Sequence, residues 1–156
     1  MTNDTATDPG PSTPTDAEDR FTRGARIQAQ LDPGLTDSLR RALADIAPDF
    51  ARYTVEFPFG DIYARPGLDL RARQIATIAA LTTLGEQRRL EAHLRFALNI
   101  GVPREEIVEV LIQMAVYAGW PRAINALYTA RDLFLTLDRS AAESAQAAGA
   151  DRTADS

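Results

Sequence analysis

Between Leu70 and Leu137 the chain is cut by glycines into segments of one kind. Gly85, Gly101 and Gly119 each follow a stretch whose large hydrophobic residues recur at three- and four-residue spacing, the signature of an amphipathic or buried helix. Pro103 and Pro121 open the segments that come next. Proline suits the first helical turn, where its missing N–H costs nothing, and glycine suits the position just past a helix end. This punctuation leaves little room for anything but stacked helices. The segment "LRARQIATIAALTTLG" is apolar nearly all round after its first turn, so it reads as a central, fully packed helix.

The same reading extends towards the N-terminus. "LTDSLRRALADIAPDFARYTVEF" spaces Leu35, Leu39, Leu43 and Ile46 helically before passing Pro48 into a second segment. "FGDIYARPGLDL" reads as a connector, with Gly60, Pro66 and Gly67 as breakers and Asp69 as the N-cap of the central helix. No useful run alternates apolar and polar residues, so the predicted fold class is all-α.

The ends differ from the middle. Residues 1–18 are rich in Thr, Pro, Asp and Gly with almost no apolar content, a composition that cannot offset its own ordering entropy. The expected organisation is a disordered acidic tail over 1–18, a helical domain over 19–138 and an Ala-rich C-terminal tail over 139–156. That last tail is expected to fray after its first turns. The net charge of -5 belongs to these ends: residues 1–19 carry five acids and no base, whereas residues 20–137 carry 15 arginines against 13 acids. The folded part shows neither a basic nucleic-acid footprint nor a polybasic membrane patch. No apolar run approaches the roughly 18 residues a membrane helix needs. The N-terminus lacks the basic-plus-apolar pattern of a secretory signal. A cytoplasmic address is the expectation.

Composition narrows the chemistry further. Cysteine and lysine are both absent, and all 17 basic residues are arginine. Thiolate catalysis, disulfides and a side-chain Schiff base are therefore excluded. His93 is the single histidine. At 100° per residue it falls inside the apolar arc made by Leu90, Leu94, Phe96, Ala97, Leu98 and Ile100. Glu86 and Arg89 share its stripe at i−7 and i−4, while Arg88, Ala92, Arg95 and Asn99 lie opposite. On the preceding helix Gln74 shares a stripe with Ile78 and Leu81. Polar groups on faces that otherwise read as core are costly unless paired or turned to a cavity. A polar cavity lined by Gln74, Glu86, Arg89 and His93 is the inference; a satisfied core histidine, a first-turn acid and a snorkelling arginine are the bland alternatives.

The stretches "FGDIYARPGLDLRARQIATIAALTTLG", "LEAHLRFALNIGVPREEIVEVLIQMAVYAGWP" and "AINALYTARDLF" resemble the carboxymuconolactone decarboxylase family, which shares its fold with the AhpD-type alkylhydroperoxidases. The resemblance implies an AhpD-like bundle of about six to seven helices. Setting the histidine of the hydroperoxidase branch on His93 puts that branch's two cysteines at Glu86 and Arg89, and its assisting acid at Gln74. With no thiol present, the resemblance points to the decarboxylase branch. It implies a carboxy-lyase of aromatic-compound catabolism that converts γ-carboxymuconolactone to the β-ketoadipate enol-lactone.

No cofactor or metal is implied, because the conjugated lactone is its own electron sink and no metal-ligand motif is present. In this reading His93 is the general acid and Glu86 orients or charges it. Arg89 holds a carboxylate or oxyanion, Gln74 bonds the lactone, and Tyr63, Tyr117 and Trp120 are wall residues. The implied partners are a small-molecule carboxylate or lactone and further copies of the chain, as a trimer or hexamer. The alternatives are a same-scaffold decarboxylase, isomerase or cyclase acting on a natural-product intermediate, or a non-catalytic binding module.

Overall fold

The structure, a computed structural model, describes residues 18–154, with side-chain surroundings to Ala147. The described residues contain helices and no strand, so the chain is all-α. In order they are α1 (Arg20–Leu31), α2 (Leu35–Ala42), α3 (Phe50–Thr54), a π-helical segment (Val55–Tyr63), α4 (Leu70–Leu84), α5 (Gln87–Asn99), α6 (Arg104–Tyr117) and α7 (Trp120–Ala154). No described helix is long and apolar enough to cross a membrane. The expected tail over 1–18 falls, Glu18 apart, outside the described residues.

Helix ends follow the local chemistry. Asp69 caps α4 through a 2.7 Å bond from the Ala72 amide, and Gly85 closes it in the left-handed region at φ 77°, where a Cβ would be strained. Asp19 caps α1 by accepting from the Phe21 and Thr22 amides. The helix α7 continues through the Ala-rich segment to Ala154, past the point where fraying is expected. Ala, Glu, Gln and Arg are strong helix formers and no proline interrupts them. From Asp138 to Ala147 this extension is exposed throughout.

Two apolar clusters meet on α5. Leu90 and Leu94 join Ile78, Ile107, Leu111 and Leu133 in the main core between α4, α5, α6 and α7. Each such fully buried leucine or isoleucine contributes about 1.5–3 kcal/mol. On another face of α5, Phe96 joins Ile27, Leu31 and Phe59 in a second cluster, which holds α1 and the π segment. Asn99 Nδ2 also donates to the Leu31 carbonyl at 2.7 Å.

The π segment corrects the sequence reading, in which Phe59 begins a connector and Gly60 breaks it. Instead the chain stays helical to Tyr63, with Pro58 inside. In an α-helix the Pro58 ring would collide with the carbonyl one turn back and leave one ladder bond unmade. The wider π register relieves that collision, and the Ala64 amide bonds Phe59 O at 3.2 Å, five residues back. Such segments often accompany functional sites.

Gly60 is there to be approached. A Cβ on it would run into the Arg20 carbonyl, and one on Gly24 would run into the Val55 carbonyl and stand 2.9 Å from the Gly60 nitrogen. Arg23 Nε donates to Gly60 O at 2.7 Å, and Arg20 pairs with Asp61. Gly24→Ala therefore forces apart two backbones that cannot shift cheaply. Overpacking of this kind costs about 1–3 kcal/mol, which for a chain of this size lowers Tm by roughly 2–10 °C. Thermal unfolding checks it; an unchanged midpoint means that α1 does not dock this closely.

Candidate functional site

A cavity of about 290 Å³ opens between α5 on one side and α2, α3 and the π segment on the other. Leu35 and Leu39 come from α2, Phe50 and Thr54 from α3, Pro58, Phe59 and Tyr63 from the π segment, and Arg89, Ala92, His93 and Phe96 from α5. Its walls are mostly apolar, with Arg89, His93, Tyr63 and Thr54 as the polar exceptions. A further cleft of about 340 Å³ between α5 and α7 is lined by Gln87, Arg88, Glu91, Thr129 and Asp132. It lacks the histidine and is an open, polar surface groove.

The imidazole of His93 is held on two sides. Its Nδ1 lies 2.9 Å from Gln74 Oε1, and Phe96 meets the ring edge-on at 5.1 Å between centroids. Gln74 reaches it from α4 with none of its own surface exposed. Burial first, and the Arg89 guanidinium second, lower the pKa of His93 to about 4. At neutral pH the ligand-free site therefore presents an uncharged imidazole beside a cation. Arg89 is in no ion pair among the described residues. A cation unpaired in protein and bordering an apolar cavity is suited to a carboxylate ligand.

Tyr63 is fixed across the cavity. Its hydroxyl lies 3.3 Å from Thr77 Oγ1, the Arg73 guanidinium stands 5.6 Å from its ring centre, and Phe59 packs edge-on against it at 5.2 Å.

Of the residues singled out in the sequence, His93, Arg89 and Tyr63 meet at this cavity. Gln74 lies behind the imidazole rather than on the wall, so it touches His93 and not the cavity. Glu86 is not brought in. It is the non-helical N-cap of α5, at φ -83° and ψ 72°, exposed and about 10 Å along the axis from His93. The imidazole partner assigned to Glu86 is instead Gln74. Tyr117 and Trp120 do not line the cavity either. They stand 76% and 70% exposed at the corner between α6 and α7, where Trp120 borders a small apolar cleft with Ile112 and Ile124.

Ala92, expected on the solvent side, faces the cavity. The apolar walls from α2, α3 and the π segment have no distinct signature in the sequence. Their only signal was the stripe of Leu35 and Leu39, which reads equally as core.

The profile of the Carboxymuconolactone decarboxylase family matches residues 48–132. Among curated proteins, the 4-carboxymuconolactone decarboxylase of Acinetobacter baylyi is 32% identical over 122 residues, covering 77% of this chain and 90% of that protein. An uncharacterized 15.0 kDa protein of Paracoccus denitrificans is 30% identical over 117 residues, covering 74% of this chain and 87% of its own length. The nitrosuccinic acid decarboxylase of Metarhizium robertsii is 38% identical over 74 residues, which is 46% of this chain and 50% of that protein.

Proposed function

Because the chain belongs to the carboxymuconolactone decarboxylase family, we propose that its His93 cavity decarboxylates a carboxylated lactone of the γ-carboxymuconolactone type without a cofactor. The observation that carries this reading is the pairing, in a mostly apolar cavity, of an uncharged imidazole with an arginine that has no ion pair among the described residues.

The chemistry required is small. In this lactone the departing carboxylate sits on a ring carbon joined through the double bond to the lactone carbonyl. When the C–CO₂ bond breaks, its electron pair moves through the ring to the lactone oxygen. A proton delivered to the carbon next to the carbonyl then gives the enol-lactone, so each turnover consumes one proton. His93 delivers that proton as general acid, and Arg89 holds the retained carboxylate or the developing oxyanion. The apolar walls strengthen the interactions of the partly buried His93 relative to water, whereas Arg89 is exposed at the cavity edge and meets the substrate there.

The free imidazole is uncharged near pH 7, so it must be loaded. A bound carboxylate offsets the charge of Arg89 and favours the imidazolium, and proton uptake accompanies binding.

A second substrate is favoured by one comparison. Nitrosuccinic acid, named for the Metarhizium robertsii relative, also carries its departing carboxylate beside an electron sink, there a nitro group, and retains a second carboxylate. The same two residues would serve it. Purified protein is expected to release CO₂ from γ-carboxymuconolactone, with nitrosuccinate as the comparison substrate. Arg89→Gln is expected to raise KM by about 10- to 100-fold, the worth of a hydrogen bond to a charged group. Binding of both acids without CO₂ release, read by ligand-induced melting shifts, would instead make the chain a binding module.

A further inference from the structure

Only one ring nitrogen of His93 has a protein partner among the described residues. Nδ1 faces Gln74 Oε1 at 2.9 Å, and an amide oxygen can only accept. Nδ1 therefore carries the hydrogen, and in the neutral ring the lone pair is left on Nε2, on the ring edge turned away from Gln74. We infer that Gln74 is a positioning residue, which pins His93 in the Nδ1–H tautomer and so makes Nε2 the single atom through which the site takes up and delivers its proton.

Two arguments support this. The first is that only one direction of the amide serves both states of the ring. Turned over, its NH₂ would donate to a bare Nδ1, an arrangement that fails once the ring is protonated, because two donors then face each other. With oxygen on Nδ1 the bond survives both states of the ring, as proton transfer requires. The second is the setting of Gln74. It is wholly buried on α4, and its Nε2 has no partner among the described residues. A buried donor without a partner is destabilising, and an apolar side chain of similar shape would spare the fold that cost. Packing alone therefore gives no reason for a glutamine here.

The groups facing His93 are few. Arg89 comes from its own helix, Tyr63 lies across the cavity with its hydroxyl at Thr77, and α4 presents the uncharged Gln74.

His93 is the only histidine in the chain, so one imidazole ¹⁵N spectrum of the ligand-free protein at neutral pH reads its tautomer without assignment. The expected result is a protonated Nδ1 and a bare Nε2; a dominant Nε2–H form, or an even mixture, overturns the inference. Gln74→Met is expected to fold and to lose the tautomer preference. Without an acceptor on Nδ1 the imidazolium that delivers the proton also loses a charge-assisted hydrogen bond, so kcat is expected to fall at least about tenfold at little change in KM. Gln74→Glu keeps an acceptor on Nδ1, and is expected to hold the tautomer and to recover kcat relative to Gln74→Met. Wild-type kcat in a folded Gln74→Met protein overturns the inference. If Gln74→Met does not fold, the wild-type spectrum and Gln74→Glu still decide it. The kcat comparison rests on the decarboxylase reading, whereas the spectrum does not. Absence of turnover together with an Nδ1–H ring removes that reading and upholds the positioning role.

Discussion

His93→Ala is expected to slow CO₂ release from the lactone by about 10²- to 10⁴-fold, the usual worth of a positioned general acid or base. No second imidazole, thiol or amine side chain exists in the chain to take over the proton. The nearest cavity alternatives are poor. A guanidinium is too weak an acid to serve, and the Tyr63 hydroxyl is engaged with Thr77. The substitution removes a half-buried ring at the cavity edge, so the fold is expected to survive, and Tm measured alongside activity checks that it does. Added imidazole can enter the enlarged cavity and is expected to restore part of the rate. Turnover near that of the wild type in a folded variant would remove His93 from the mechanism. Loss of rate without rescue, together with a large fall in Tm, would mark the ring as structural.

The legible part of the site lay within one helix. His93 and Arg89 are four apart on α5, and helical periodicity alone puts them on one stripe. The same periodicity failed for Glu86, because the helix begins at Gln87 and its cap has left helical geometry. Helical spacing carries no information past the end of the helix. The stripe of Gln74 with Ile78 and Leu81 turns it inward, where it is buried, but which atom it meets is a property of how α4 packs on α5, and no pattern within either helix contains it.

Other elements were legible in kind and not in role. Leu35, Leu39 and Ile46 have the spacing of a core stripe, yet α2 has no buried residue and Ile46 is 75% exposed. The stripe covers a cavity and then runs off the end of the helix. Gly60 has the residue type of a breaker, and only the close approach of α1 shows that it serves as a contact. Tyr117 and Trp120 sit where a helix ends, and a helix end does not say which way its aromatics turn. The walls of the cavity depend on α2, α3 and the π segment folding back over α5, which is tertiary information.

Acidity is expected to act on this protein in two opposite directions. The ligand-free imidazole has its pKa lowered to about 4, and the reaction needs it protonated. If the proton is loaded before the C–C bond breaks, kcat/KM follows the protonated fraction of the free enzyme. It then falls about tenfold per pH unit from pH 5 to pH 7, roughly 100-fold in all. The kcat limb lies at higher pH, because a bound carboxylate offsets Arg89.

Stability moves the other way. The folded-state pKa lies below the ordinary value of 6.5, so between pH 6.5 and about 4 the unfolded chain binds more protons than the folded one. Stability present above pH 6.5 is lost as the pH falls through that window, by about 3 kcal/mol for this one group. A His93→Gln protein should escape that loss, and the difference between its pH–stability curve and the wild-type curve isolates the histidine from the carboxylates. Wild-type kcat/KM that is flat from pH 5 to 7 would show that C–C cleavage precedes proton loading. An identical pH–stability curve in the variant would show that the ring is not held neutral by burial. The expected combination is higher activity and lower stability at pH 5 than at pH 7, with this one half-buried imidazole responsible for both.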